Sequence, residues 1–391
     1  MTTVTPPAAR SAAPVSTGVH VTGGMEAQVF RGVGLPFEAV AVPELVLAHG
    51  EVLVAVELAT VCGSDVHTVT GARSGPLPLV LGHEQVGRVV ALGPGRAPRT
   101  VEGTALAVGQ RVVWGVAVDC GRCRYCHAGI PQKCVSLQKY GHARMTRGWE
   151  LSGGFATHVH LRARTPIVAV ADDAVPELFA PASCSTATVM AALDAARAIR
   201  PLAGAVVAIS GCGMLGLTAV AAAVAEGATV VATDPDRERR TAAQEFGAAS
   251  VGDGTADGLA QALRRIPAGR SGYHVALELS GAPSAVQSLL AAGDIGAVLV
   301  LVGSVSPTST VAVDPEQVVR RLFTIRGVHN YAPQHLLQAV RFLERTESAP
   351  LASLVGDIHP LDGIESAMLH ARAHSSVRVG LRPDPKPVKV L

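Results

Sequence analysis

Between residues 205 and 328, short apolar runs alternate with mixed segments. Residues 205–210, 229–233, 275–279 and 297–302 are rich in Val, Ala and Leu without polar alternation. Strands covered on both faces read this way. A Gly-rich turn follows the first run and opens an apolar helix that lasts to Glu226. A polar helix is predicted over 236–246, a mixed one over 283–292, and a further strand over 323–328. Strands alternating with helices predict a parallel, doubly wound sheet. Upstream the texture differs. From Gln28 to Val61 there are short β-runs and turns, clearest at 51–57, and Gly and Pro punctuate 71–98. With a strand at 110–114, this predicts an irregular β-rich domain. The change falls after about Cys184. Beyond Pro333 the pattern predicts a long helix at 334–345, a shorter one at 361–374, a strand at 377–381 and an extended Pro/Lys tail. The first twenty residues, rich in Thr, Ala and Pro, read as loose.

Composition narrows the class. A chain of 391 residues predicts two or three domains. A 48% hydrophobic and 16% charged content excludes a disordered or coiled-coil chain. Lys+Arg of 33 against Asp+Glu of 31, with 3% aromatics, argues against nucleic-acid binding by bulk charge or base stacking. Positive charge is nearly all arginine; the lysines are Lys133, Lys139, Lys386 and Lys389. The most apolar stretch, 214–225, has about half the length a membrane span needs. The start of the chain lacks the charged and apolar regions of a secretory signal, so a cytoplasmic location is expected. The cysteine count is seven, and an odd number without a signal favours metal ligation over disulfides.

The turn at 211–216 is Gly211-Cys212-Gly213-Met214-Leu215-Gly216, a G-x-G-x-x-G between a buried strand and a helix. That context makes it a dinucleotide cradle rather than a plain structural turn: the glycines permit the turn, the approach of a pyrophosphate, and close helix packing. The helix N-terminus offers N–H groups to the phosphates. Asp234 ends the second strand, where an acid binds ribose hydroxyls and disfavours a 2′-phosphate. NAD(H) is therefore expected, although Arg237, Arg239 and Arg240 stand close enough to accept that phosphate. Cys120, Cys123, Cys126 and Cys134 read C-x2-C-x2-C-x7-C, a closed tetrahedral zinc set. The long last gap and the absence of a Pro after Cys134 disfavour an iron–sulfur cluster. Cys62 opens Cys-Gly-Ser-Asp-Val-His, His83 lies in Gly-His-Glu, and Cys184 sits at the change of texture. Together they would give a Cys2His site with one open position, the arrangement of catalytic zinc.

With these motifs in this order, the chain resembles the zinc-dependent medium-chain alcohol dehydrogenases from about residue 25 to residue 381. The resemblance implies a GroES-like catalytic domain (25–184, completed by 330–391), a Rossmann domain (185–329) and a flexible tail (1–24). It implies two zinc ions per chain, one catalytic and one structural. Cys62, His83 and Cys184 would hold the catalytic ion, with Glu84 behind it or in its shell. Asp65 would orient His83, Ser64 and His67 would relay the proton to solvent, and Thr188 would lie beside the nicotinamide. Arg378 would contact the cofactor pyrophosphate. The implied reaction is hydride transfer between an alcohol and nicotinamide, zinc lowering the alcohol's pKa. Relatives pair through the cofactor domain, so a homodimer or homotetramer is expected, with 298–302 as the pairing edge strand.

The substrate is less defined. Lys139, His142, Arg144 and Arg147 crowd residues 138–154, as a basic pocket for an anion or as a solvated loop. Residues 148–155 and 181–186 resemble a subgroup proposed to act in phosphonate metabolism, which points to a phosphonate-bearing alcohol or aldehyde. The alternative is a secondary alcohol or polyol. Three rival classes are a zinc-free quinone or enoyl reductase, a non-catalytic zinc and dinucleotide redox sensor, and a zinc nucleic-acid module. The intact ligand set and the Ser64/His67 pair argue against the first two, and the balanced charge against the third.

Overall fold

In a computed structural model, the structure describes residues 18–266, 272–346, 350–373 and 376–391. Six parallel strands form one sheet in the spatial order Ser250–Gly252, Thr229–Thr233, Val206–Ser210, Tyr273–Glu278, Gly293–Leu301, Thr324–Gly327. Numbered along the chain this is 3-2-1-4-5-6, the doubly wound order, with its crevice where the order reverses. That crevice lies between Val206–Ser210 and Tyr273–Glu278, beyond their carboxyl ends. The helix Met214–Ala225 is apolar because it is buried almost throughout. The helix Arg237–Glu245 is polar because only Ala243 is buried, and Asp236 caps it by accepting the N–H groups of Glu238 and Arg239. The strand expected to be the pairing edge is internal. Gly293–Leu301 has neighbours on both sides, and Thr324–Gly327 is the edge.

The other domain holds a seven-stranded sheet, in which Val52–Val61 pairs with Gln85–Leu92 and with Arg378–Arg382. The C-terminal strand is thus inserted beside the strand that ends at Cys62, and the end of the chain completes this domain. The helix Ser185–Arg197, which the apolar pattern left unassigned, has ten buried residues. It belongs to the core cluster that joins Leu58, Val86 and Val113 to Val207 and Ile209, so it packs between the two sheets.

Of the tail expected over 1–24, residues 1–17 lie outside the described residues. Residues from Val19 onward form the strand Val19–Phe30, with Val21 and Met25 buried. It pairs with Glu38–Leu47 and with Val388–Val390, which joins the two ends of the described chain. One of its partners lies at the far end of the chain, so composition alone could not show it. Among the described residues no single helix is long and apolar enough to cross a membrane.

Candidate active site

The candidate catalytic ligands come from three places. Cys62 follows the buried strand Val52–Val61 and caps the helix Gly63–Val69. Cys184 caps the helix Ser185–Arg197. His83 lies between the strands Leu79–Val80 and Gln85–Leu92. Their ligand atoms fall within 4.8 Å of one another. Sulfur and imidazole nitrogen about 2.0–2.3 Å from one tetrahedral ion sit at such separations. The thiols are free, and two soft sulfurs with one imidazole are a zinc donor set. The residues therefore fit the ion.

Asp65 lies against two members of this cluster. It is fully buried; Oδ2 accepts the Cys62 N–H at 2.9 Å, and Oδ1 lies 3.4 Å from His83 Nδ1. That Nδ1 has no other polar partner among the described residues. A carboxylate there fixes the imidazole so that Nε2 faces the metal position. Burial opposes charge on His83, but Asp65 overrides it and raises the imidazole's pKa. Hydrogen bonding with Cys184, against the desolvation of burial, and the charge of Arg378 hold the Cys62 thiol well below its ordinary range. Ser64 Oγ is 3.3 Å from His83 Nε2, and His67, one turn on, is exposed. Thr188 is half-buried, one turn after Cys184, whose carbonyl accepts its N–H at 3.1 Å.

Glu84 and Arg378 pair with each other, Glu84 taking the first of its two expected places, behind the ligands. Glu84 is fully buried yet stays outside the ligand cluster. Thr60 Oγ1 donates to Oε2 at 2.7 Å, and the Arg378 guanidinium spans both oxygens at 2.9 and 3.3 Å. Arg378 also approaches Cys62 Sγ at 3.8 Å. The two charges neutralise each other behind the metal position. The hydrogen bonds of Arg378 go to Glu84, Cys62 and its neighbour Val377, and none goes to the glycine loop where the pyrophosphate contact was expected.

The second cluster is local. The sulfurs of Cys120, Cys123, Cys126 and Cys134 also converge within 4.8 Å. The short helix Arg124–His127 and the turn Pro131–Lys133 between them bury no residue. The Cys120 N–H points at Cys134 Sγ, 3.3 Å away. Four thiols without an open position fit a structural zinc ion, which would hold a lobe that has no apolar core.

The glycine loop has the shape a dinucleotide needs. A Cβ on Gly216 would lie 1.8 Å from the Gly211 carbonyl oxygen, and Gly211 itself has φ +94°. A Cβ on Gly213 would meet nothing within 4 Å, so this is the open face for a phosphate. Met214 and Leu215 start the helix whose N–H groups point there. Asp234 is 4% exposed; its oxygens accept the N–H groups of Cys212 at 2.7 Å and Asp236 at 2.9 Å. Arg240 is spent on the carbonyls of Asp234 and Pro235, whereas the Arg239 side chain is half-buried and makes no hydrogen bond among the described residues. Cys212 is fully buried, and burial followed by Asp234 pushes its thiol up to about 12, so it stays protonated.

Of the basic stretch, His142 stacks on His83 with ring centroids 4.6 Å apart, while Arg144 and Arg147 are exposed. The segments that carried the phosphonate resemblance serve the fold. Trp149 Nε1 donates to the His160 carbonyl at 3.0 Å, Phe155 is fully buried, and Ser183 Oγ donates to the His83 carbonyl at 3.0 Å. The sequence did not single out Thr60, Ser183 or Tyr331. Tyr331, buried at the return from the cofactor domain, donates to the Ser183 carbonyl and accepts the Val116 N–H at 3.1 Å, bracing the residue before Cys184.

Residues 48–172 match the alcohol dehydrogenase GroES-like domain family, and residues 215–345 match the zinc-binding dehydrogenase family. An L-threonine 3-dehydrogenase of Burkholderia cenocepacia is 30% identical over 310 residues, 78% of this chain and 83% of that one. An alcohol dehydrogenase of Thermotoga maritima, solved as a crystal structure, superposes with TM-score 0.85 at 28% identity, covering 92% of this chain and 99% of that one. A zinc-binding dehydrogenase of Sinorhizobium meliloti, bound to NADP, superposes with TM-score 0.77 at 25% identity, covering 93% and 100%. The chain belongs to the zinc-dependent medium-chain alcohol dehydrogenase family. It is an oxidoreductase built as a GroES-like domain joined to a Rossmann domain.

Proposed function

We propose that the chain catalyses reversible, NAD(H)-linked oxidation of an alcohol to an aldehyde or ketone. The observation that carries this is the open Cys62, His83, Cys184 set with the Ser64 hydroxyl beside it. A zinc ion held there supplies Lewis-acid polarisation of the substrate oxygen. Ser64 takes the hydroxyl proton, and exposed His67 returns it to water. Asp65 keeps His83 aligned, and Glu84 with Arg378 forms a neutral backing to the ligands. Gly213, Met214 and Leu215 present the N–H cradle to the cofactor pyrophosphate, and Thr188 orients the nicotinamide.

Asp234 supports NAD(H) over NADP(H), because a buried carboxylate at the ribose repels a 2′-phosphate. Arg239, whose side chain makes no hydrogen bond among the described residues, is the residue that would oppose this. The open edge of Thr324–Gly327 supports pairing of two copies of the chain there. The test is NADH absorbance with a panel of alcohols for wild type and Ser64→Ala. The variant should keep its zinc and lose about 100-fold in kcat. Unchanged kcat in Ser64→Ala would remove Ser64 from the proton path, and no turnover of any alcohol by zinc-loaded wild type would refute the reaction.

A further inference from the structure

We infer that Tyr331 is a positioning residue of the active site, whose hydroxyl fixes the backbone that carries Cys184 and His83. This rests on the dehydrogenase reading, with Cys62, His83 and Cys184 as metal ligands, and adds the group that holds two of them in place.

The chain passes between the seven-stranded and six-stranded sheets twice. The first passage runs through the buried turn Ala180–Ser183 to Cys184 and the helix Ser185–Arg197. The second leaves the strand Thr324–Gly327 and reaches the helix Pro333–Arg345. Tyr331 lies on the second passage, with its backbone fixed on either side. Asn330 before it has φ +53°, a left-handed turn that asparagine tolerates. The N–H of Ala332 after it is accepted by His335 Nδ1 at 3.0 Å. His335 Nε2 and Gln338 Nε2 each lie 3.1 Å from Asp194 Oδ2, which ties the helix Pro333–Arg345 to the helix that Cys184 caps.

The Tyr331 hydroxyl meets two backbone groups from elsewhere in the chain. It donates to the Ser183 carbonyl and accepts the Val116 N–H at 3.1 Å. A hydroxyl can do both at once, and a phenylalanine could do neither. Ser183 is fully buried, so bulk water does not compete for its carbonyl. From these two contacts two routes reach the metal ligands. Ser183 precedes Cys184, and its Oγ donates to the His83 carbonyl at 3.0 Å. The Val116 carbonyl accepts the Tyr140 N–H at 3.0 Å, and two residues on His142 stacks on His83 with ring centroids 4.6 Å apart. Gly141 permits that approach, because a Cβ there would lie 2.5 Å from the carbonyl oxygen of Gly82, the residue before His83. The hydroxyl therefore stands at the head of both routes. Ligand distances at a metal site tolerate only about 0.2 Å, so a small backbone shift at Ser183 is enough to weaken it.

The test measures metal rather than turnover. Wild type, Tyr331→Phe and Tyr273→Phe, each loaded with zinc, are compared by chelator competition. Cys62→Ser, which keeps only the lobe ion, identifies the catalytic one. Tyr273 is the control: its buried hydroxyl donates to the Leu289 carbonyl at 2.6 Å, away from the ligands. Tyr331→Phe should weaken the catalytic ion by about 10-fold and leave the lobe ion unchanged. Tyr273→Phe should change neither. With Co(II) in place of the catalytic zinc, Tyr331→Phe should shift the visible bands, which report ligand geometry, and Tyr273→Phe should not. Equal catalytic-ion affinity in wild type and Tyr331→Phe with unshifted bands overturns the positioning role, as does equal weakening in Tyr273→Phe. Where Tyr331→Phe does not fold, Ser183→Ala decides. It keeps the tyrosine and removes the bond to the His83 carbonyl, and unchanged catalytic-ion affinity there overturns the role. A wild type that holds only the lobe ion refutes the metal-ligand reading itself and leaves the hydroxyl nothing to position.

Discussion

The two candidate metal centres use the same thiol chemistry in opposite ways. The lobe draws its four ligands from residues 120–134, of which only Cys134 is buried. The catalytic set draws on residues 62, 83 and 184, placed at the ends of elements that are already packed. A zinc ion in the lobe would substitute for a core; at the Cys62, His83, Cys184 set the core already positions the ligands and an ion would be an addition. Loss of metal should therefore unfold one and merely silence the other.

Substitutions can break this contrast. The largest effect is expected for Cys62→Ser, a loss of about 1000-fold or more in activity with the fold retained, checked by NADH assay beside circular dichroism. Cys120→Ser should reverse the emphasis, with a melting temperature lower by about 10 °C in a thermal scan. A Cys62→Ser protein that melts as early as Cys120→Ser would erase the distinction. Asp65→Asn should weaken catalytic zinc by about 10–100-fold in chelator competition, without touching the lobe. Asp234→Ser should act on neither metal, moving the NAD-to-NADP ratio of kcat/KM toward NADP by about 10-fold.

The same contrast explains what the sequence could disclose. The lobe and the glycine loop were legible because their determinants are contiguous: a cysteine spacing in one case, a strand, turn and helix in the other. The Cys62, His83, Cys184 set was legible only through its neighbours, Ser64 and Asp65 in one motif and Glu84 in another. The part played by Glu84 was not, because Arg378, the group that holds it, is 294 positions away. Arg378 was read toward the pyrophosphate for the same reason. Contiguity also misled at the basic stretch. Arg144 and Arg147 are neighbours of His142 in sequence yet face solvent, whereas His142 packs against His83. The strand at Val19–Phe30 was hidden because its partners include the last residues of the chain.

The most direct measurement is zinc per chain in purified wild type, Cys62→Ser and Cys120→Ser, each paired with NADH-linked activity. The account predicts two zinc ions in wild type and one in Cys62→Ser, which is folded but inactive. Cys120→Ser should lose the lobe ion and melt earlier. A single zinc in wild type that survives Cys62→Ser would contradict it, because the open Cys2His set would then not be a metal site.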